Sequence, residues 1–510
     1  LLSPRPSPPH ISLQGEEIPG KIIRRGGEGQ SFGYRCQRLR GGCRVAEDLE
    51  KVKISGKDGG NGRGAKELRK RHLNIVFIGH VDAGKSTIAG HILALTGMVD
   101  ERTIEKCEKD AQARGRESWG KAYLLDTTEG ERNKGKTEEC GHAYFETNTT
   151  RVTILDAPGH KGYVPHMIGG ASQADVGVLI ISGRKGEFET GFDKGGQTRE
   201  HAVLAKTAGV KRLIVCVNKL DDPSVKSSDG KWSELRYVDI KTKLLPFLKG
   251  TGWKPKDVIS MPISGLLGEG LLKRVDPTIC PWYKGPSLIE ALENIAIPSN
   301  TDTRVILPIT ASIKEREGIL MGKLESGTIT LGDRLEILPE KKSVTVSSLA
   351  IPGGEETDKA LSGEAVRVGI SGVDVNSIHP GGILASPNAN LTSAVKLEAV
   401  LLILDAKHVI VPGYSAVMHI HAAEVPCTVY KLTAELNRRT GEFVRRHPQF
   451  ARTGMRVQAK ILLDRPTVVK AYKDLGKLGR FMLRAEGKTV AVGTVLRVAK
   501  ILSSDTKSKK

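Results

Sequence analysis

Residues 79 to 87 read Gly79-His80-Val81-Asp82-Ala83-Gly84-Lys85-Ser86-Thr87, a glycine, four free positions and then Gly-Lys-Ser. Before them, Leu73 to Ile78 form a largely apolar run that predicts a buried strand, and after them Ile88, Ile92 and Leu95 recur at helical spacing. The loop therefore joins a strand to a helix N-terminus, the setting that a phosphate cradle needs. Glycine lets backbone N–H groups converge on anionic oxygens, and the helix end adds positive partial charge. Lys85 is placed to reach the terminal phosphates and the Ser86 hydroxyl to ligate Mg²⁺.

Working outward, short buried runs alternate with amphipathic ones from Leu73 to about Ile297. That alternation predicts an α/β P-loop domain over residues 71–298, with a mostly parallel sheet covered on both faces. Three further strands run into polar motifs: Arg151 to Leu155 into Asp156-Ala-Pro-Gly159-His160, Arg212 to Val217 into Asn218-Lys219-Leu220-Asp221, and Val258 to Ile263 into Ser264-Gly265-Leu266. Open α/β sheets bind their ligands at the carboxyl ends of their strands, so four motifs at one edge make one site.

Each motif has a chemical reading. A carboxylate in the plane of guanine accepts from its ring N–H and its exocyclic amine, whereas adenine presents the opposite polarity, so Asp221 reads guanine. Asp156 is expected to reach Mg²⁺ through water, and Gly159 leaves its N–H free for a γ-phosphate. Thr137 lies in a polar segment without periodicity, suited to ordering around the metal when a γ-phosphate is present. His160 follows Gly159 directly and is the candidate catalytic residue, orienting the attacking water or stabilising its charge. Val81 is a candidate gate or a packing residue. Gly195-Gly196-Gln197 matches a peptidyl-tRNA hydrolysis tripeptide, but it precedes a helical run inside the nucleotide fold and is discounted.

From about Thr303 onward helical periodicity vanishes, and alternating segments recur between glycine turns. The pattern predicts two all-β barrel domains, over 303–388 and 393–502, divided where Pro387 to Thr392 is rich in Asn and Pro. Residues 1–70 hold Pro and Gly clusters and 15 basic against 8 acidic side chains, which predicts a basic, mostly disordered arm. The chain opens on Leu rather than Met, which points to a truncated or mispredicted start. No apolar run is long enough to span a membrane. Seven scattered cysteines without a C-x-x-C pair argue against a disulfide framework and a zinc site and for a reducing compartment, the cytoplasm. A net charge of +20 points to a polyanionic partner, with nucleic acid the first candidate.

Taken together, GHVDAGKST, DAPGH, NKLD and SGL resemble the motifs of translational GTPases. Gly135-Lys136-Thr137 followed by AYFET, then ILDAPGHKGYVP, MIGGASQAD, KGEFETGFDKGGQTREH and GRFMLRAEGKTVAVG, resembles more closely the GTP-binding subunits of eukaryotic peptide-chain release factors, the class II release factors, over about residues 68–500. Lys136 separates that pattern from the elongation factor and the ribosome-rescue GTPase, which carry a hydrophobic residue there. The departures are Gly162, His166, Gly183 and Glu139-Cys140-Gly141-His142. The resemblance implies a GTPase of translation termination that uses GTP and Mg²⁺. It also implies that a class I release factor binds the last barrel and that the ribosome and its RNA are partners; no DNA or membrane partner is expected. Two alternatives stay open: a rescue or elongation GTPase delivering a tRNA-shaped partner, and a non-hydrolysing nucleotide-gated RNA-binding adaptor.

Overall fold

Strand β1 (Arg71–Gly79) turns Leu73, Ile75 and Phe77 to one face and Val76 and Ile78 to the other, and both sets are buried. A strand buried on both sides belongs inside a sheet with a layer on each face. The computed structural model describes residues 70–125, 131, 137, 140–193, 196–297, 302–314 and 318–499. Outside them lie the expected arm up to residue 69, the segment 132–136 with Lys136, Glu139, Gly195 and the basic tail.

β1 is central in a six-stranded sheet of order β2-β3-β1-β4-β5-β6. Its partners are β2 (Gly141–Glu146), β3 (Thr150–Asp156), β4 (Val176–Ser182), β5 (Arg212–Asn218) and β6 (Val258–Pro262). Only β2 runs antiparallel, against β3. The predicted strands thus form, each within about two residues of its expected ends.

The Phe77 face is covered by α1 (Lys85–Leu95), with α2 (Glu101–Ala113) beside it. The Val76 face is covered by α3 (Val164–Gln173), α4 (Glu187–Phe192), α5 (Gln197–Ala208) and α6 (Glu234–Gly250). α7 (Leu288–Asn294) returns to the Phe77 face and starts with a reciprocal cap between Ser287 and Glu290. Each fully buried Ile, Leu or Phe in these two layers contributes about 1.5–3 kcal/mol, which fixes the strand ends that carry the motifs.

The carboxyl half is all β. Strands β7 (Ile306–Lys314), β8 (Gly318–Lys323), β10 (Arg334–Leu338), β11 (Lys342–Ala350), β13 (Ala365–Ser371) and β14 (Ile383–Ala385) close a barrel, while β9 (Thr328–Thr330) and β12 (Lys359–Leu361) pair beside it. β15 (Thr392–Ile403), β16 (Tyr414–Ile420), β17 (Ala423–Leu436), β19 (Arg456–Val469), β20 (Arg480–Ala485) and β21 (Lys488–Val498) form the second, with β18 (Phe443–Arg446) added on β17. It closes because β16 pairs with β20 on one side and β17 on the other. Alternating inward residues fill each barrel with its own apolar cluster.

The three bodies meet over buried polar groups. Asp175, at the start of β4, lies 2.6 Å from Lys323 Nζ of the first barrel and accepts from Asn74 Nδ2 at 3.1 Å. Asn74 Nδ2 also donates to the Gly363 carbonyl at 2.8 Å. Lys477 of the second barrel pairs with Glu325 of the first, and an apolar seam including Ile306, Ile383, Val468 and Leu478 lies alongside. Among the described residues, no helix is long and apolar enough to cross a membrane.

Candidate nucleotide site

The sheet order reverses at β1, and the polar motifs at the carboxyl ends of β1, β3 and β5 flank one pocket of about 390 Å³, within the range of small-molecule sites. The loop after β1 carries the backbone that its glycines predict. Gly84 has φ 97° and stands as the cap of α1 without any side-chain hydrogen bond, so no capping side chain covers the start of α1 where it lines the pocket. A Cβ on Gly84 would lie 2.4 Å from Asn218 Nδ2.

Thirteen of the expected site residues line this pocket: Val81, Asp82, Gly84, Lys85, Ser86, Thr87, Thr137, Gly159, His160, Asn218, Lys219, Asp221 and Leu266. Gly79, His80, Ala83, Asp156, Ser264 and Gly265 stand behind the wall and hold it. The His80 carbonyl accepts from Lys85 Nζ at 2.8 Å. Asn218 donates from Nδ2 to the Ala83 carbonyl at 2.9 Å and accepts at Oδ1 from Gly265 N–H at 2.8 Å, so one side chain ties three loops. Ser264 is fully buried, and its hydroxyl accepts from Leu267 N–H at 3.1 Å.

Three oxygen donors gather at the phosphate end. The Ser86 and Thr137 hydroxyls lie 3.2 Å apart. Asp156 is fully buried, and neither of its carboxylate oxygens has a hydrogen-bond partner of good geometry among the described residues. Burial pushes its carboxyl up to about 6, against the pull of the Lys85 ammonium and the Ser86 hydroxyl. Two hydroxyls and an unsatisfied carboxylate suit a hard, oxygen-seeking cation. Beside them, a Cβ on Gly159 would lie 2.6 Å from Lys85 Nζ and 3.0 Å from Val81 N, so only glycine keeps that approach open.

His160 is exposed. Its Nδ1 accepts from the Gly162 N–H at 3.2 Å, and its ring tilts against Tyr163 at 5.8 Å between centroids. The pocket also takes in Ser118, Trp119, Ala122, Arg184, Glu187 and Asp222, which the motifs do not announce. Of these, Glu187 had a usable signal: it lies just past the end of β4, where the sheet binds ligands. It pairs with Lys219 Nζ at 2.9 Å and accepts from the Ser182 hydroxyl at 2.7 Å, steadying a lysine held at φ 64°. Gln197 of the discounted tripeptide is 3% exposed and opens α5, so no peptidyl-tRNA can reach it in this arrangement.

Comparison with known proteins agrees with this geometry. The family model of the elongation factor Tu GTP binding domain matches residues 70–298, and that of the GTP-eEF1A C-terminal domain-like family matches residues 396–496. A eukaryotic peptide chain release factor GTP-binding subunit of Candida maltosa is 47% identical over 430 residues, covering 84% of this chain and 60% of that protein. Its counterpart in Candida albicans is 46% identical over 430 residues, with 84% and 59% covered. The chain thus spans about 60% of the length of these relatives. The solved GTPase-like domain of S. cerevisiae Ski7, bound to GDP and inorganic phosphate, superposes with a TM-score of 0.68 at 20% identity over 84% of this chain and 98% of that one, a likeness of fold. By these relatives and by the motifs its pocket assembles, the chain belongs to the family of eukaryotic peptide chain release factor GTP-binding subunits.

Proposed function

We propose that this protein is a GTPase of translation termination in the cytoplasm. In this reading it binds a class I release factor through its last barrel and hydrolyses GTP on the ribosome to couple stop-codon recognition to peptide release. The carrying observation is the convergence, on one pocket at the sheet edge, of the Asp221 carboxylate, the glycine-bearing loop that ends in Lys85 and Ser86, and a set of hard oxygen donors. The family membership supports the biological setting.

In this reading Asp221 accepts from the base, while Asn218 and Glu187 hold the segment that presents it. Lys85 and the N-terminus of α1 face the phosphates. Ser86, Thr137 and, through water, Asp156 would hold Mg²⁺. That ion would supply positive charge against the negative charge of the phosphates. Gly159 leaves room for the γ-phosphate. His160 must release Gly162 N–H and turn inward to orient the attacking water, a step assigned to ribosome docking. The six arginines between Arg438 and Arg456 give the last barrel a basic surface for partner or ribosomal RNA.

Calorimetric titration with GTP, GDP, ATP and ADP tests the pocket: guanine nucleotides bind and adenine nucleotides do not. Binding of ATP with equal affinity would contradict it. Capture of a class I factor with GTP present, against capture of aminoacyl-tRNA, tests the partner.

A further inference from the structure

Helix α5 carries two neighbouring polar side chains that face different domains. Glu200 Oε1 accepts from Arg484 Nη1 at 3.3 Å and from the Thr489 hydroxyl at 3.0 Å, both on the last barrel. Arg484 is itself fixed, donating to Thr489 Oγ1 at 3.0 Å and to the Gly487 carbonyl at 2.8 Å. One residue further on, about 100° around the helix, His201 Nδ1 accepts the backbone N–H of Gly79 at 3.2 Å.

Gly79 is where β1 becomes the phosphate loop. Its φ is 148°, and a Cβ there would lie 2.3 Å from the Ile180 carbonyl of β4. The residue is therefore fixed between a strand on one side and the His201 ring on the other. Because Nδ1 accepts, the ring proton sits on Nε2, which is buried without a hydrogen-bond partner among the described residues. A buried donor left without an acceptor weakens the fold. An apolar side chain of similar volume would avoid that cost and lose only the Gly79 contact, so packing alone does not explain a histidine here. Burial, reinforced by the charges of Lys85, His80 and Arg484, pushes the imidazole down to about 3, which keeps it a neutral acceptor at pH 7.

We infer that His201 is a positioning residue for the phosphate loop, and that Glu200 makes it answer to the seating of the last barrel on α5. A partner that shifts this barrel pulls on Glu200, moves the helix, and loosens the acceptor that holds Gly79. The inference rests on the guanine-nucleotide reading of the pocket and adds a route by which the barrel governs nucleotide retention.

The test uses the full chain with fluorescent GDP and GTP analogues, following release by stopped flow, together with hydrogen exchange at the Gly79 amide without nucleotide. His201→Leu is expected to speed release about tenfold, the scale of one hydrogen bond. His201→Asn, whose Oδ1 can replace Nδ1, is expected to stay within about threefold of the unaltered chain. Glu200→Ala speeds release and Gly79 exchange in the same direction, and the double variant Glu200→Ala/His201→Leu releases no faster than His201→Leu. Unchanged release and unchanged Gly79 exchange in either His201→Leu or Glu200→Ala would overturn the inference. Multiplied effects in the double variant would overturn the link to the barrel. If His201→Leu does not fold, Glu200→Ala and His201→Asn decide it by the same two readouts. A chain that binds neither nucleotide refutes the pocket reading, while Gly79 exchange in Glu200→Ala still decides the lever.

Discussion

Asp175→Asn tests how the three domains are held together. The carboxylate sits 2.6 Å from Lys323 Nζ and accepts from Asn74 Nδ2 at 3.1 Å, with only 10% of its side chain exposed. Burial alone would raise its pKa, but the ammoniums of Lys323 and Lys477 beside it, with the hydrogen bond from Asn74, bring it down to about 2. Against an ordinary value of 3.8 that is about 2 kcal/mol in favour of the folded state. Lys323 gains nothing itself, because burial holds its ammonium below the usual lysine value even with the carboxylate adjacent, so for the lysine desolvation outweighs the attraction. Removing the carboxylate leaves Lys323, 3% exposed, charged and without its counterion. Breaking a buried pair from one side costs about 3–5 kcal/mol, whereas replacing both partners by groups of similar shape is close to neutral. Chemical unfolding at pH 7, followed by fluorescence and by domain-selective proteolysis, should therefore show Asp175→Asn strongly destabilised at the junction. Asp175→Asn/Lys323→Met should recover most of the loss. A single variant within about 1 kcal/mol of wild type, or a double variant no better than the single, would refute the electrostatic reasoning.

The same carboxylate sets a pH signature. Its folded value is lowered, so its contribution is fully present above the ordinary 3.8 and is lost as pH falls through about 2; the stability gap between wild type and Asp175→Asn should narrow over that window in acid titrations. Asp221→Asn should move preference from guanine towards xanthine nucleotides in competition binding, and unchanged GTP affinity would remove Asp221 from the base site. Gly159→Ala, whose Cβ meets Lys85 Nζ at 2.6 Å, should lower GTP affinity about tenfold while GDP affinity moves less, by titration of both. His160→Ala should keep GTP affinity within a few fold and lose roughly 10²–10⁴ of ribosome-stimulated hydrolysis, and equal losses in both would make its role structural.

The parts legible in the sequence were those whose physics is local. Leu73 to Ile78 reads as a two-sided buried strand because every apolar residue finds a layer, and Gly84 reads as the loop's turn because its backbone conformation and its closeness to Asn218 both demand glycine. Asn218 was placed at the site by its position at a strand end, although its work of tying the Ala83 and Gly265 loops is visible only in three dimensions. Other residues carry no local signal. Asp175 and Lys323 are ordinary charges in their own segments and become buried partners only when the domains close. Trp119 reaches the pocket from a short helical turn in a segment without periodicity. His201 looks like one more residue of an amphipathic helix until β1 is packed against it, at a sequence distance of 122 residues.

The most direct test is phosphate release from GTP by the full chain, measured with ribosomes stalled at a stop codon, with and without a class I release factor. A turnover that needs both the ribosome and the class I factor, and that aminoacyl-tRNA at a sense codon does not replace, is the predicted result. Release no faster than from the isolated protein, or equal stimulation by aminoacyl-tRNA, would contradict a role in termination.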